Sequence, residues 1–155
     1  MSAASAVMSA QKPSAWPAIF VGGLLAGSLD LSSAFITYGA GVPRVIAAGL
    51  LGPTAVHGGL GTYVLGIALQ FFIATSAAAV YYAVSRRLTF LKEHPLVCGL
   101  FYGIAVFLVM NLIVVPLSAL HFRGPFRLAA LLQGLLVHMF LIGLPISFSV
   151  RRYAK

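Results

Sequence analysis

Near the middle of each of four long apolar stretches stands one strongly polar residue: Asp30, Gln70, Asn111 and His138. A carboxylate beside an imidazole can take up a proton or a cation and pass it on, with amides as polar lining. Asp30 and Glu93 are the only acids in 155 residues, so Asp30 is where such chemistry must be sought first. The same four residues can instead form a hydrogen-bonded cluster that fixes helix register, each bond contributing roughly 0.6 kcal/mol. No second acid lies in an apolar stretch to complete an acid–base pair, and no Ser/His/Asp spacing is present, so no catalytic residue and no enzymatic activity are expected. Ser28, Ser32, Ser33 and Thr37 then read as backbone-bonding residues.

The remaining histidines and the cysteine offer little metal or redox chemistry. His57 and His121 could share a depth, but two ligands without an acid or thiolate make a poor metal site, and His57 and His138 differ in depth too much for a bis-histidine haem. His94, beside Glu93 and Pro95, reads as a turn residue. Cys98 is the sole cysteine, which excludes an internal disulfide and a CxxC pair. Neither a metal nor a cofactor is expected.

Composition dictates the elements that carry these residues. Apolar residues make up 61% of the chain, charged residues 8%, and the mean hydropathy is +1.03, against about 25% charged residues in a soluble domain. The chain therefore reads as an all-α integral membrane protein with four transmembrane helices in a bundle, over about 17–38, 58–84, 95–120 and 126–150, and a flexible cytoplasmic tail over 1–16. Pro43, Gly49, Gly52, Pro53, Gly58 and Gly59 break up the link between spans one and two, where a short interfacial helix over Arg44 to Leu51 is expected. Trp16 and Tyr38 suit the headgroup belts of span one, and Tyr81 and Tyr82 that of span two. Pro116 and Pro145 are expected to kink spans three and four, with Ser118 and Ser147 placed to satisfy the freed carbonyls.

The net charge of +8 is a topology signal and not a nucleic-acid footprint, because the basic residues sit singly or in pairs at the edges of the apolar runs. Lys12, Arg86, Arg87, Lys92, Arg151, Arg152 and Lys155 fall on one side, and Arg44, Arg123 and Arg127 on the other. Seven against three places both termini in the cytoplasm, facing anionic lipid headgroups. At 1.5 Å per residue all four mid-span polar residues lie roughly 20–24 Å from the cytoplasmic ends of their helices, so they can meet in one layer. An acid at that depth costs about 2.5–3.5 kcal/mol on insertion scales, which directs Asp30 toward the bundle interior, a partner or a proton.

Lipid tails supply no hydrophobic drive between helices, so small residues must allow close backbone approach. Gly23, Gly27, Asp30 and Ala34 share one face of span one; Gly59, Gly66, Gln70 and Ala77 share one of span two; Gly99 and Gly103 lie together on span three; Gly134, His138, Leu141 and Pro145 line span four. The expected packing glycines are thus Gly23, Gly27, Gly66, Gly99, Gly103 and Gly134. A faint internal repeat accompanies them: a shift of 81 aligns Gly22 with Gly103 and Asp30 with Asn111, and a shift of 68 aligns Gly66 with Gly134 and Gln70 with His138. Such a duplication would relate the halves about an axis along the membrane normal.

The strings Gly-Leu-Leu-Ala-Gly-Ser-Leu-Asp (23 to 30), Val-Met-Asn-Leu-Ile-Val-Val-Pro-Leu-Ser (109 to 118) and His-x4-Gly-Leu-Pro-Ile (138 to 146) resemble an uncharacterised group of small four-helix bacterial inner-membrane proteins, loosely YagU-like. The resemblance spans residues 17 to 152 and implies a bacterial inner membrane with no assigned activity. Two functions follow from the residues, ahead of a third, an enzyme acting on a lipid, for which the acid–base pair is lacking. The first is a non-enzymatic protein that works by helix association, as a homo-oligomer or as an accessory subunit of a larger membrane complex. The alternative is a small proton- or cation-coupled transporter or channel that uses Asp30, with His138 as relay and Gln70 and Asn111 as lining.

Overall fold

The computed structural model describes residues 14–121 and 127–154. The expected tail is therefore outside the described residues up to position 13, as are Arg123 and Lys155. In chain order the helices are α1 (Ala15–Tyr38), the short α2 (Val42–Leu51), α3 (Leu60–Ser85), α4 (Pro95–Leu117) and α5 (Leu128–Tyr153), with a 3-10 turn over Pro53–His57 and a single helical turn over Phe90–Glu93. No strand occurs among the described residues. The four long helices have 23 to 26 residues, or about 35–39 Å at 1.5 Å per residue, enough to cross a hydrocarbon core of roughly 30 Å. The protein is an all-α, multi-pass membrane protein.

Local chemistry sets the helix ends. Gly39 (φ 81°) and Gly52 (φ 93°) terminate α1 and α2 in a backbone region that side chains disfavour. Pro95 opens α4 at a position whose N–H has no helical partner in any case. The helix α4 stops at Leu117, short of the expected Leu120, because Ser118 is extended. At the other end of the chain α1 begins at Ala15, two residues before the expected Pro17, and the Ser14 N–H donates to the Tyr153 carbonyl at 3.1 Å. Both described ends therefore lie at one end of the bundle, here called the terminal end.

The helix α1 packs against α3 on one side and α5 on the other, α5 packs on α4, and α2 lies along α3. The helices α3 and α4 meet near the terminal end, where the Tyr102 hydroxyl donates to the Ala77 carbonyl at 2.6 Å and the Tyr81 and Tyr102 rings stack edge to face at 4.9 Å. Tyr81 is 1% exposed and its hydroxyl donates to the Leu91 carbonyl at 3.0 Å. The expectation that Tyr81 sits in a headgroup belt is thus corrected: it is a core residue that ties the hairpin after α3 to the bundle. Lys92 from the same hairpin donates to the Ala154 carbonyl at 3.2 Å, a cation on the last carbonyls of α5.

Small residues bring the backbones together as packing in lipid requires. A Cβ on Gly23 would stand 2.6 Å from Thr75 Cα, and one on Gly27 would stand 2.9 Å from the Phe71 ring. Gly66 lies under the Pro43 carbonyl, which seats α2, and Arg44 holds that seat by donating to the Gly58 carbonyl at 2.7 Å while stacking over Tyr63. Gly99 faces Ser147 and Gly143, Gly103 faces the backbone of His138 and Met139, and Gly134 faces the Phe107 ring. Gly59 stands apart, with no atom within 4 Å of a Cβ placed there.

The two helix pairs do not share a register. Thr75 meets Gly23, yet Gly143, its counterpart under the shift of 68, meets Gly99 and Gly103, the counterparts of Ala18 and Gly22 under the shift of 81. The second pair is slid by about a turn relative to the first, so the repeat does not impose a common helix-pair geometry.

Burial is lopsided along the bundle axis. Between the long helices, Ala18, Ala78, Ile146 and Val150 are fully buried toward the terminal end and Ala26 at mid-height, while at the opposite end full burial among the described residues is confined to Pro43, Ala47 and Ala48 of α2. Beyond Gly103, α4 buries no residue, and α5 buries none before Ile142. The bundle is tight at the terminal end and parted at the opposite one.

Candidate functional site

Where the helices part, a cavity of about 500 Å³ opens between α1, α4 and α5. Helical spacing explains its walls: α1 supplies Asp30, Ser33, Thr37 and Tyr38, α4 supplies Phe107, Asn111 and Val115, and α5 supplies Arg127, Leu131, Gly134 and His138. Apart from the adjacent pair Thr37 and Tyr38 at the end of α1, these are runs of three- and four-residue steps, one face of each helix. Tyr38 and Arg127 are helix-end residues, so the cavity reaches from the open end inward. Asp30 lies eight residues from Tyr38, about 12 Å deep, and His138 eleven from Arg127, about 16 Å deep.

Asp30 is half-buried, and its Oδ2 accepts a 2.6 Å hydrogen bond from Gln70 Nε2 on α3. That bond joins two spans at mid-membrane depth. Asn111 and His138 share the cavity with Asp30 but bond within their own helices: Asn111 Nδ2 donates to the Phe107 carbonyl at 2.9 Å, and His138 Nδ1–H to the Gly134 carbonyl at 2.8 Å. The structure does not gather the four into a single hydrogen-bonded cluster, because Asn111 and His138 form no interhelical bond among the described residues. The Nδ1 bond fixes the imidazole's orientation and leaves Nε2 as its exchangeable nitrogen. The ring also stands edge to face on Phe107, 5.5 Å between centroids.

Both Asn111 and His138 sit in π-helical turns, Met110–Val114 and His138–Gly143. In these turns the Val115 N–H reaches back to Met110 and the Leu144 N–H to Met139. Pro116 and Pro145 follow directly, and neither can donate to the carbonyl four residues before it; the wider turn takes up the clash between that carbonyl and the proline ring. The serine hydroxyls do not serve the freed carbonyls as expected: Ser118 donates to Val115 and Ser147 to Leu144. A distorted backbone at mid-depth, next to a cavity, is where irregular helix is tolerated in a membrane.

Several cavity residues carry no signal in the depth argument. Gln133 Nε2 donates to Thr37 Oγ1 at 2.9 Å, tying α5 to α1 nearer the mouth, so Thr37 is an interhelical acceptor and not the backbone-bonding residue expected. The spacing Asp30, Ser33, Thr37 would have revealed that polar face. Gly22 and Gly143 also escape the small-residue stripes, although Gly143 lies against Gly99 and Gly103 more tightly than Gly134 lies against anything.

A second cavity, about 660 Å³, lies between α2, α3 and the outer part of α4. Its walls are apolar except for Gln70 and Ser118, and Val115 borders both cavities. His57 and His121 are exposed at the open end and His94 is exposed at the terminal end against Phe90. Among the described residues no three His, Cys, Asp or Glu side chains approach one another closely enough to hold a metal. Cys98 is buried, with its thiol directed at the Phe90 carbonyl.

Fold and site together define a small multi-pass helical membrane protein with an acid-bearing polar cavity that is open at one end. Compared with protein-family models, curated proteins and solved structures, the chain matches none.

Proposed function

We propose that the protein is a small proton- or cation-coupled carrier of a bacterial inner membrane, with Asp30 as the ion-binding group and no catalytic role. The observation that carries this reading is the Asp30 carboxylate in the wall of a cavity that reaches in from the end opposite the termini. An ionisable group held at mid-membrane beside accessible space is costly to keep and marks ion pathways. His138 Nε2 serves as relay in this reading, and Asn111 and Gln133 as lining. The seven-to-three bias of basic residues read from the sequence supports cytoplasmic termini, and in this reading the cavity mouth faces outside.

Reconstitution into liposomes tests the reading. The wild-type chain should dissipate an imposed pH gradient or take up a cation, and Asp30→Asn, which can still accept from Gln70, should abolish that flux while remaining folded. Flux that persists in Asp30→Asn would remove Asp30 from the mechanism.

A second reading is association, as a homo-oligomer or an accessory subunit. It is favoured by the outer halves of α4 and α5, which bury nothing within the chain. A stoichiometric partner, or a defined oligomer in mild detergent, would support it; a monomer that carries flux would dismiss it.

A further inference from the structure

Resting on the carrier reading, we propose that the two cavities are halves of one site for an amphiphilic cation, an ammonium group with an apolar body of alkyl size. Asp30 lines the polar cavity, Gln70 lines the apolar one, and the Asp30–Gln70 hydrogen bond is the partition between them, with Val115 on both walls. Their volumes of about 500 and 660 Å³ each fall within the roughly 300–1,000 Å³ of small-molecule sites. Charge complementarity chooses the head: Asp30 is the only acid in the four spans. Arg127 also borders the polar cavity, but at its mouth, whereas Asp30 lies about 12 Å inward along α1.

The exchange at the partition is a swap of donors. Gln70 offers the Asp30 carboxylate a neutral amide N–H, whereas an ammonium offers an N–H together with the Coulomb attraction of a full opposite charge, which is strengthened away from bulk water. The arriving cation therefore displaces the Gln70 amide, which swings aside and joins the two cavities. The apolar body then lies among Leu69, Ile73, Met110 and Val114, with Ile46 and Leu50 of α2 as the far wall. A small hydrophilic cation gains only the head contact. The second cavity is what makes the site select an amphiphile.

The test measures binding of radiolabelled decylammonium to the full chain in nanodiscs, over and above empty nanodiscs, with methylammonium as head-only and decanol as tail-only competitor. Decylammonium should saturate at a single molecule per chain, lose that saturable binding in Asp30→Asn, and resist both competitors at about a hundredfold excess. Ile73→Trp, filling the apolar cavity, should weaken it about tenfold, the scale of one overpacked side chain. Leu50→Trp fills the same space from α2, so a folding defect in one variant leaves the other informative. If methylammonium competes on equal terms, or both tryptophan variants bind as tightly as wild type, the joined site is overturned while the carrier reading stands. If decanol competes fully and Asp30→Asn binds as well as wild type, the apolar cavity holds a lipid chain and the proposal fails. Absence of any saturable binding alongside Asp30-dependent flux likewise overturns it.

Discussion

At the scale of single residues, Asp30 and Gln70 illustrate how far counting along helices can go. Depth alone put them in one layer, and the 2.6 Å bond between them lies across two spans. Depth says nothing about azimuth, and for Asn111 and His138 azimuth decided: each turned to a carbonyl of its own helix. Since interhelical hydrogen bonds in membranes contribute only about 0.6 kcal/mol each, Asp30→Leu should fold, with a small loss of resistance to denaturing detergent. A large loss, or a misassembled protein, would make Asp30 a structural residue. Glycine gives the opposite contrast. A Cβ on Gly103 would run into the backbone of His138 and Met139, which cannot yield as a side-chain tip can. Gly103→Ala should therefore cost at least the 1–3 kcal/mol or so of an overpacked core. Gly61→Ala meets nothing within 4 Å and should stabilise α3 by up to about 1 kcal/mol through helix propensity. Thermal denaturation of both variants in one detergent reads the difference.

At the scale of elements, the ends of the long helices lie within a few residues of the ends of the apolar runs, because apolar run length, Pro95 and the loop glycines are local signals. The facing side of a span was less legible, and α5 shows why. A stripe through Gly134 and His138 at 100° per residue continues to Leu141 and Pro145, yet neither of these is buried, and the buried face begins one position on with Ile142 and Gly143 and continues through Ile146 and Ser147. The π turn over His138–Gly143 inserts one residue, so every position after it slips by one. Nothing in the local composition fixes where such a turn falls, although the following proline supplies its cause. This makes Pro145 a phase-setting residue. Pro145→Ala restores an N–H, and the turn should relax toward α geometry and rotate the segment of α5 before it by about 100° relative to the core face. In a Cys98→Ser background, cysteines at Thr37 and Gln133, hydrogen-bonded neighbours in the native chain, should be joined by a short bifunctional thiol reagent. Adding Pro145→Ala should suppress that cross-link; an equally efficient reaction would show that the proline does not set the phase.

For the whole molecule, the decisive property is the difference between its ends, which the small-residue stripes alone do not reveal because they mark faces and not heights. The terminal end is sealed by polar clasps across helices: Tyr102 to Ala77, Tyr81 to Leu91, Lys92 to Ala154 and Ser149 to Ala18. The opposite end is tied by Gln133 to Thr37, by Arg44 to the Gly58 carbonyl and by the Ala119 N–H to the Gly49 carbonyl, but it also holds the two cavities. An impermeant thiol reagent should thus label Ser33→Cys, in a Cys98→Ser background, from the side opposite the termini only, and should fail to label Ala78→Cys from either side. A carrier must also open the sealed end, and the Tyr102 clasp is the point where α3 and α4 would have to part. Tyr102→Phe removes one buried hydrogen bond, about 1 kcal/mol, without creating a void of any size. If opening there limits transport, flux should rise severalfold and Ser33→Cys should become weakly reactive from the terminal side. If labelling stays one-sided and flux falls, the tyrosine clasp is scaffold, and any path from Asp30 to the terminal side runs elsewhere between α1 and α5.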